Sequence, residues 1–322
     1  MKPSRSIVAV ALLALAATGA AQTYPAKPVH IVVPFAAGGG LDVSTRQFGL
    51  KLSEVIRQPV VVENKVGAAG VLGAMSVRTA APDGYTFLLG SISPLIQKHL
   101  NPSLGFDPVA DFVPVANMAS TPTVMVVRAN HPAKSVQEVI ELAKKNPGKM
   151  NYGSGGIGTA AHLAGASFLA LAGLQAVHIP LKGSVEITAS LLRGDTDFAF
   201  PVSSTAIPQV KSGKLRALAT TSAGPMKELP GVPTLAATFK NDLGVQEAWF
   251  GLWAPAKTPA AVAKAMHAAT SKALADPQLQ QQLEAAGSPA APSESPEAYA
   301  AFVKSEDAKW AKIVKLANAK SE

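Results

Sequence analysis

Short apolar segments alternate with helical patterns along most of this 322-residue chain. Residues 29–35 (VHIVVPF) are typical of a buried strand, and they precede a glycine-rich loop and a helix that Asp42 can cap. A second strand, residues 59–63, is also followed by a Gly/Ala loop and a helix, and a turn at residues 82–84 leads into a third strand, residues 85–90. Strands that alternate with helices are typical of parallel sheets built from βαβ units. The sequence therefore predicts an α/β fold.

A second series of strands and helices follows a β-prone segment, residues 112–127, which is interrupted near Pro122. Its predicted strands cover residues 150–153, 176–180, 196–200 and 215–220, and a late, isolated strand covers 249–255. Two such series joined by two crossovers predict two lobes with a cleft between them. Lobe 1 comprises residues 22–123 and 247–322, and lobe 2 comprises residues 124–246. Ligand crevices in sheets of this kind lie at the carboxyl ends of the strands.

The N-terminus has the pattern of a secretory signal peptide. Lys2 and Arg5 precede an apolar run, residues 7–17, and small residues follow up to Ala21. The run is shorter than the roughly 20 residues that span a bilayer. The chain contains no cysteine, which excludes disulfides, a thiol nucleophile and a lipid anchor on a mature N-terminal cysteine. We expect residues 1–21 to be removed near Ala21, leaving a soluble periplasmic protein.

The charged residues favour small anions over nucleic acid as partners. The formal net charge is +8, but the basic residues occur singly or in pairs and form no run typical of a nucleic-acid arm. Aromatic residues make up only 6% of the chain, so few are available to stack on bases. The six histidines show no metal-ligand spacing. We therefore expect no nucleic acid, metal or cofactor to be bound.

The stretch NYGSGGIGTAAH, residues 151–162, contains Gly153, Gly155 and Gly158 in G-x-G-x-x-G order. A dinucleotide site also needs an acidic residue about 20 positions further on, and the strand found there, AVHIPLKG, has none. The loop PFAAGGGLD, residues 34–42, has the same design in the other lobe. Each loop presents backbone N–H groups at a helix N-terminus, where a carboxylate or phosphate is favoured. The two loops predict an anion clamp, although glycines that merely permit tight turns remain an alternative.

Candidate catalytic residues are scarce. There is no G-x-S-x-G elbow, and His162, one helical turn after the second glycine loop, can either touch a ligand or serve a structural role. Two classes of function remain open at this point. The first is a binding receptor, and the second is an exported α/β hydrolase or transferase acting on a small anionic substrate.

Several motifs in the same order carry a family resemblance: VPFAAGGGLD, QPVVVENKVGAAGVLGA, APDGYTFLLG, NYGSGGIGTAAHLAG, HIPLKG, LRGDTDFAF and FGLWAPAKTP. With them the chain resembles the periplasmic solute-binding receptors of tripartite tricarboxylate transporters, also called Bug receptors. The resemblance implies a two-lobed Venus-flytrap fold, each lobe a mostly parallel sheet flanked by helices, without enzyme activity. It also implies a small carboxylate in the cleft and delivery to an inner-membrane permease. We expect the receptor to be a monomer.

The resemblance also implies which residues bind the ligand. The loop matching Gly38 to Asp42 would hold the carboxylate from one lobe, partly through ordered water, and the loop matching Ser154 to His162 would close on it from the other. The full set is Phe35, Gly38, Gly39, Gly40, Leu41, Asp42, Ser91, Ser154, Gly158, Thr159, His162, Lys182, Gly183, Ser184, Pro201 and Ser203.

Some positions depart from the pattern of the family. The family usually has polar residues where Leu41 and Ile157 stand, Tyr at Leu181 and often Asp at Pro201. These changes predict a more apolar pocket, with Ser203 and Ser204 available for a second polar group. We therefore expect an aromatic or aliphatic mono- or dicarboxylate as ligand, rather than citrate.

Overall fold

The computed structural model describes residues 24–101 and 103–316, so the predicted signal peptide lies outside the described residues. Two five-stranded sheets form the core of the two lobes. The lobe 1 sheet has the order β2-β1-β3-β10-β4. Its strands are β1 (Val29–Val33), β2 (Val60–Asn64), β3 (Thr86–Ser91), β4 (Phe112–Pro122) and β10 (Glu247–Pro255).

The lobe 2 sheet repeats this arrangement, with the order β7-β6-β8-β5-β9. Its strands are β5 (Val124–Arg128), β6 (Asn151–Ser154), β7 (Val177–Pro180), β8 (Phe198–Ala199) and β9 (Leu215–Thr220). In each sheet the first three strands of the order are parallel, while β10 and β5 run antiparallel to both of their neighbours. These two are the strands by which the chain enters a sheet from the other lobe, which accounts for their reversed direction.

Helices cover both faces of each sheet. The helices of lobe 1 are α1 (Gly40–Ile56), α2 (Val71–Arg78), α3 (Ile92–Leu100), α9 (Ala260–Leu274), α10 (Pro277–Ala285) and α11 (Pro296–Leu316). Those of lobe 2 are α4 (Val136–Lys145), α5 (Ala160–Ala172), α6 (Ser184–Arg193), α7 (Ser203–Lys211) and α8 (Leu235–Phe239). No helix within residues 24–101 and 103–316 is long and apolar enough to span a bilayer.

Each sheet has an apolar cluster on either face, as expected of strands buried on both sides. In lobe 1, Phe48 of α1 belongs to one cluster and Trp310 of α11 to the other. In lobe 2, Phe168 of α5 and Ile207 of α7 mark the two faces in the same way. The predicted fold class, a two-lobed α/β protein with mostly parallel sheets, is confirmed.

The chain crosses between the lobes twice, and the two crossings are hydrogen-bonded to each other. Thr123 N donates to Thr221 Oγ1 over 2.9 Å, and Thr221 N donates to Thr123 O over 3.0 Å. The strand break expected near Pro122 is present, since β4 ends at Pro122 and β5 begins at Val124. We keep 22–123 with 247–322 and 124–246 as the proposed limits of the lobes.

Candidate functional site

A cavity lies between the lobes, at the carboxyl ends of the parallel strands. It offers about 80 Å³ to the centres of water-sized molecules, several times the ~10–15 Å³ that one water needs. Both lobes contribute to its wall. The lining residues are Phe35, Ala36, Gly39, Gly40, Leu41, Asp42, Ser91, Ile92, Ser93, Gly155, Thr159, Ala160, Ala161, Gly183, Ser184, Val185, Val202, Ala248 and Trp249.

Five helices begin at this cavity. The first residues of α1, α3, α5 and α6, and the N-cap residue of α7, are all in its wall. The first N–H groups of a helix have no acceptor within the helix, and the helix dipole adds about half a positive charge at that end. Backbone groups from both lobes therefore make the cavity electropositive and offer donors to an anion.

Among residues 24–101 and 103–316, Asp42 is the one charged residue in the wall of this cavity, and its charge is compensated locally. Its carboxylate accepts from Gly38 N at 2.8 Å and from Asn64 Nδ2 at 2.8 Å, and forms an ion pair with Arg46 at 3.0 Å. Burial raises the pKa of this carboxyl, but the hydrogen bonds from Arg46, Gly38 and Asn64 outweigh it and hold the pKa below its ordinary value. Asp42 therefore stays ionised and fixes the first glycine loop.

The expectation that Asp42 caps the first helix is wrong. The N-cap residue is Gly39, which forms no side-chain cap, and Asp42 lies in the first turn, from where its carboxylate reaches back to Gly38. The reason is that the helix begins two residues before Asp42, at Gly40. Gly38 adopts a φ of 77°, a left-handed conformation that glycine tolerates.

The second glycine loop is stabilised by the hydroxyls at its two ends. Ser154 Oγ donates to Gly156 O over 3.1 Å. Thr159 is the N-cap of α5: its hydroxyl accepts from His162 N at 3.4 Å and donates to Gly156 O over 2.8 Å. The Thr159 hydroxyl is thus used within the loop. The first N–H groups of α5, those of Ala160 and Ala161 in the cavity wall, have no acceptor within the helix.

Two adjacent histidines, whose ring planes are tilted by 32° to each other, support this loop. His162 Nδ1 accepts from Gly158 N at 3.2 Å, His178 Nε2 lies 2.6 Å from Ser154 Oγ, and the ring centroids are 4.3 Å apart. Burial lowers the pKa of both rings to about 4, and for His162 the neighbouring His178 contributes as well. Both rings are therefore neutral at pH 7. His162 positions the loop and does not line the cavity.

The remaining wall of the cavity is apolar. Phe35 and Leu41 contribute from lobe 1 and Val185 from lobe 2. Trp249 is 2% exposed, and its Nε1 donates to Glu306 Oε2 over 2.9 Å. Because that polar edge is occupied, Trp249 presents apolar surface to the cavity.

The cavity brings together only part of the predicted ligand-binding set. Nine residues of that set line the cavity: Phe35, Gly39, Gly40, Leu41, Asp42, Ser91, Thr159, Gly183 and Ser184. Four others lie outside the cavity wall and form hydrogen bonds within the two glycine loops: Gly38, Ser154, Gly158 and His162. Lys182 lines a neighbouring chamber, as does Leu181.

Pro201, Ser203 and Ser204 do not line the cavity. Pro201 O accepts from Val124 N at 2.9 Å beside the crossing, and Ser203 Oγ donates to Gly287 O. Ile157 packs against an apolar cluster of lobe 1. Of the three residues expected to make the pocket apolar, Leu41, Ile157 and Leu181, only Leu41 lines this cavity. The rest of its apolar wall includes residues that the sequence did not single out.

Those additional residues include Ile92 and Val185. Both lie at a helix start that follows a strand of the mostly parallel sheets. The position of each strand end was the signal that could have found them, since these residues carry no distinctive chemistry of their own.

The lobes touch each other across the cleft. Gln97 Nε2 of α3 donates to Ile157 O of the second glycine loop over 2.6 Å. On another side, a Cβ placed on Gly40 would lie 1.9 Å from Ser204 Oγ of α7.

Comparisons with known proteins agree with this geometry. Residues 44–319 match the family described as "Tripartite tricarboxylate transporter family receptor". The structure is similar to that of the periplasmic binding protein BugD, at 32% identity and a TM-score of 0.85, covering 93% of this chain and 100% of that chain. It is also similar to Rpa4515 of R. palustris with adipate, at 29% identity and a TM-score of 0.86, covering 92% of this chain and 99% of that chain. MatC of Rhodopseudomonas palustris with bound malate is 29% identical with a TM-score of 0.84, covering 90% of this chain and 100% of that chain. The chain therefore belongs to the tripartite tricarboxylate transporter receptors, which are periplasmic solute-binding proteins and not enzymes.

Proposed function

We propose that this receptor captures a small carboxylate between its lobes and delivers it to a tripartite tricarboxylate-type permease of the inner membrane. One observation carries the proposal: in the part of the chain that the structure describes, five helix N-termini meet at a cavity whose wall contains no lysine or arginine. Such a wall binds an anion through backbone N–H groups and helix dipoles. Family membership sets aside the alternative of an exported hydrolase or transferase.

The apolar part of the wall supports a ligand with an apolar body. Phe35, Leu41 and Trp249 can bury hydrocarbon at about 25 cal/mol per Å². A ligand with three carboxylates, such as citrate, would leave charge against this surface without donors, at a cost of several kcal/mol. We therefore favour an aromatic or aliphatic mono- or dicarboxylate. The similar structures carry adipate and malate, which are both dicarboxylates.

A thermal-shift screen followed by calorimetry tests this proposal with citrate, glutamate, adipate and terephthalate. A ligand present at a thousand times its Kd stabilises the protein by about 4 kcal/mol, which is visible as a clear rise in Tm. Adipate or terephthalate should bind more tightly than citrate. Tightest binding to citrate would refute the pocket argument, and the absence of any carboxylate ligand would refute the receptor assignment.

A matched pair of variants distinguishes an effect of the cavity wall on ligand selectivity from a general effect of substitution in the same helix. Leu41→Thr introduces the polar group usual in the family and should reduce the difference in affinity between adipate and citrate. Leu50→Thr, on the exposed side of the same helix, should leave that difference unchanged, because Leu50 is 73% exposed. An equal effect of both variants would show that Leu41 does not contact the ligand.

We also propose that the mature protein begins near Gln22 and is a soluble periplasmic monomer. The signal pattern of residues 1–21 and the absence of cysteine support this. Mass spectrometry of the exported protein and light scattering test it. A retained Met1, a membrane-bound fraction or a dimeric mass would contradict it.

A further inference from the structure

The C-terminal helix α11 places a buried carboxylate next to a residue of the cavity wall. Glu306 of this helix is 6% exposed. Its Oε2 accepts from Trp249 Nε1 at 2.9 Å and from Trp310 Nε1 at 3.0 Å, and its Oε1 accepts from Lys309 Nζ at 3.0 Å. A buried charge is costly unless it is paired and hydrogen-bonded, and Glu306 meets both conditions. The carboxylate therefore fixes the N–H groups of two indole rings.

Only one of these two indoles reaches the cavity. The chain has three tryptophans, all within the described residues, and Trp249 is the one that lines the cavity. An indole has a single polar group, the N–H donor, and no acceptor. In Trp249 this donor is directed at Glu306, which is not part of the wall. Trp310 donates to the same carboxylate oxygen without reaching the cavity, so it provides an internal control.

The remaining neighbours of the Trp249 ring are aromatic. The ring centroids of Phe302, Tyr299 and Trp253 lie 5.3, 5.8 and 6.1 Å from that of Trp249. Apolar burial is non-directional, so it does not by itself distinguish the N–H edge of the indole from its carbon edges. The hydrogen bond to Glu306 does, because the donor must be aimed at the acceptor.

We propose that Glu306 is a positioning residue of the ligand site. By holding the Trp249 N–H outside the cavity, it presents the carbon surface of the indole to the apolar body of the ligand. Without the carboxylate, the ring can turn its N–H towards the ligand or a water molecule, and a hydrogen-bond donor then replaces apolar surface. This inference rests on the proposed function. It adds a residue 57 positions from Trp249 that neither the motifs nor the family resemblance singled out.

Nuclear magnetic resonance of the three indole N–H groups tests the geometry without any ligand. Trp249→Phe and Trp310→Phe assign the signals. In Glu306→Met the signals of Trp249 and Trp310 should both move, whereas that of Trp253, which donates to the Tyr299 hydroxyl over 3.1 Å, should not. In Glu306→Gln both signals should stay near their wild-type positions, because the amide oxygen can still accept both bonds. A Trp249 signal that is unchanged in Glu306→Met would refute the inference.

Titration calorimetry with adipate, terephthalate and succinate tests the consequence for binding. Succinate has the two carboxylates of adipate on a shorter hydrocarbon chain. Glu306→Met should weaken adipate and terephthalate about fivefold, which corresponds to the net contribution of about one hydrogen bond, and succinate by less than about twofold. Glu306→Gln should restore all three affinities to within about twofold, and Trp310→Phe should leave them within the same limit.

A double variant separates positioning from a general effect on α11. Trp249→Phe keeps an apolar ring in the wall but has no N–H to orient. Adding Glu306→Met to it should therefore weaken adipate no further than about twofold. A fivefold loss in both backgrounds would show that Glu306 only stabilises the helix, and the inference would be wrong.

A measurement on the wild type decides the case in which Glu306→Met does not fold. The Trp249 N–H should exchange with solvent as slowly as the Trp310 N–H, both with and without adipate. Faster exchange at Trp249, or donation of its N–H to the bound acid, would overturn the inference and leave the carboxylate receptor intact. If none of the three acids binds the wild-type protein, the proposed function fails and the inference fails with it.

Discussion

The approach of Gly40 to α7 leaves no room for a side chain in the closed form. A Cβ on Gly40 would lie 1.9 Å from Ser204 Oγ, 2.6 Å from Ser204 Cβ and 3.2 Å from Thr205 Oγ1. Gly40 begins α1 in lobe 1, whereas Ser204 lies in the first turn of α7 in lobe 2. Gly40→Ala should therefore oppose closure of the lobes while leaving each lobe folded.

The size of the effect follows from the overlap. Overpacking a filled contact costs about 1–3 kcal/mol, and we expect this cost to fall on the arrangement of the lobes in which Gly40 approaches Ser204. Since 1.4 kcal/mol corresponds to a factor of ten, ligand affinity should fall by about 5-fold to 150-fold. The free protein should melt at the same temperature or slightly higher, because replacing glycine by alanine in a compatible conformation reduces the entropy of the unfolded chain.

Calorimetry with a confirmed carboxylate measures the loss, and small-angle scattering with and without that ligand measures closure. The matched variant is Gly40→Ala/Ser204→Gly, which removes the two atoms that the new methyl group would overlap. It should recover most of the wild-type affinity. Unchanged affinity in Gly40→Ala, or no recovery in the double variant, would refute the reasoning.

Three further predictions concern the second glycine loop. Gln97→Ala removes the hydrogen bond to Ile157 O across the cleft, and it should weaken carboxylate binding by about 2-fold to 10-fold in calorimetry, whereas Gln137→Ala on the surface of α4 should not. Thr159→Ala removes the N-cap of α5 and should lower the free energy of unfolding by about 1 kcal/mol in urea titrations, whereas Thr159→Ser should retain the wild-type stability. Equal stability of the two variants would contradict this role. Burial lowers the pKa of His162 and of His178 from 6.5 to about 4, so the unfolded chain binds more protons over that interval; stability, full above it, should fall as the pH drops from 7 to 4, by roughly 3 kcal/mol for each ring. Urea midpoints across this interval measure the fall, and a His162→Gln variant with the same pH slope would show that another group is responsible.

Much of the fold was predictable because its signals are local. The strands of both sheets are short apolar runs, and the segment 112–127 divides near Pro122 as expected. Both glycine loops do lead into helices at the cleft, at Gly40 and Ala160. Chain direction and helix starts suffice to place such loops at the carboxyl ends of strands.

The hydrogen-bond partners at the site were not predictable. Asp42 looked like a helix cap, yet its carboxylate is bound by Asn64, which lies 22 residues further along the chain on the neighbouring strand β2. The sequence left His162 either touching a ligand or serving a structural role, and it did not indicate that the ring lies 4.3 Å, centroid to centroid, from that of His178 of β7. In both pairs the partner comes from a different element, and no local pattern specifies which elements pack side by side.

By itself, the sequence determined the α/β class, the order of the strands and helices along the chain, and the glycine loops that expose backbone N–H groups at helix starts. These features depend on residues within a few positions of each other, through apolar periodicity and turn conformation. Only the tertiary structure decided that five helix starts meet at one cavity, that Asn64 of β2 binds the Asp42 carboxylate and that Lys182 lines a neighbouring chamber. Those facts depend on which elements and lobes pack together, and that is set by contacts among residues far apart in the chain.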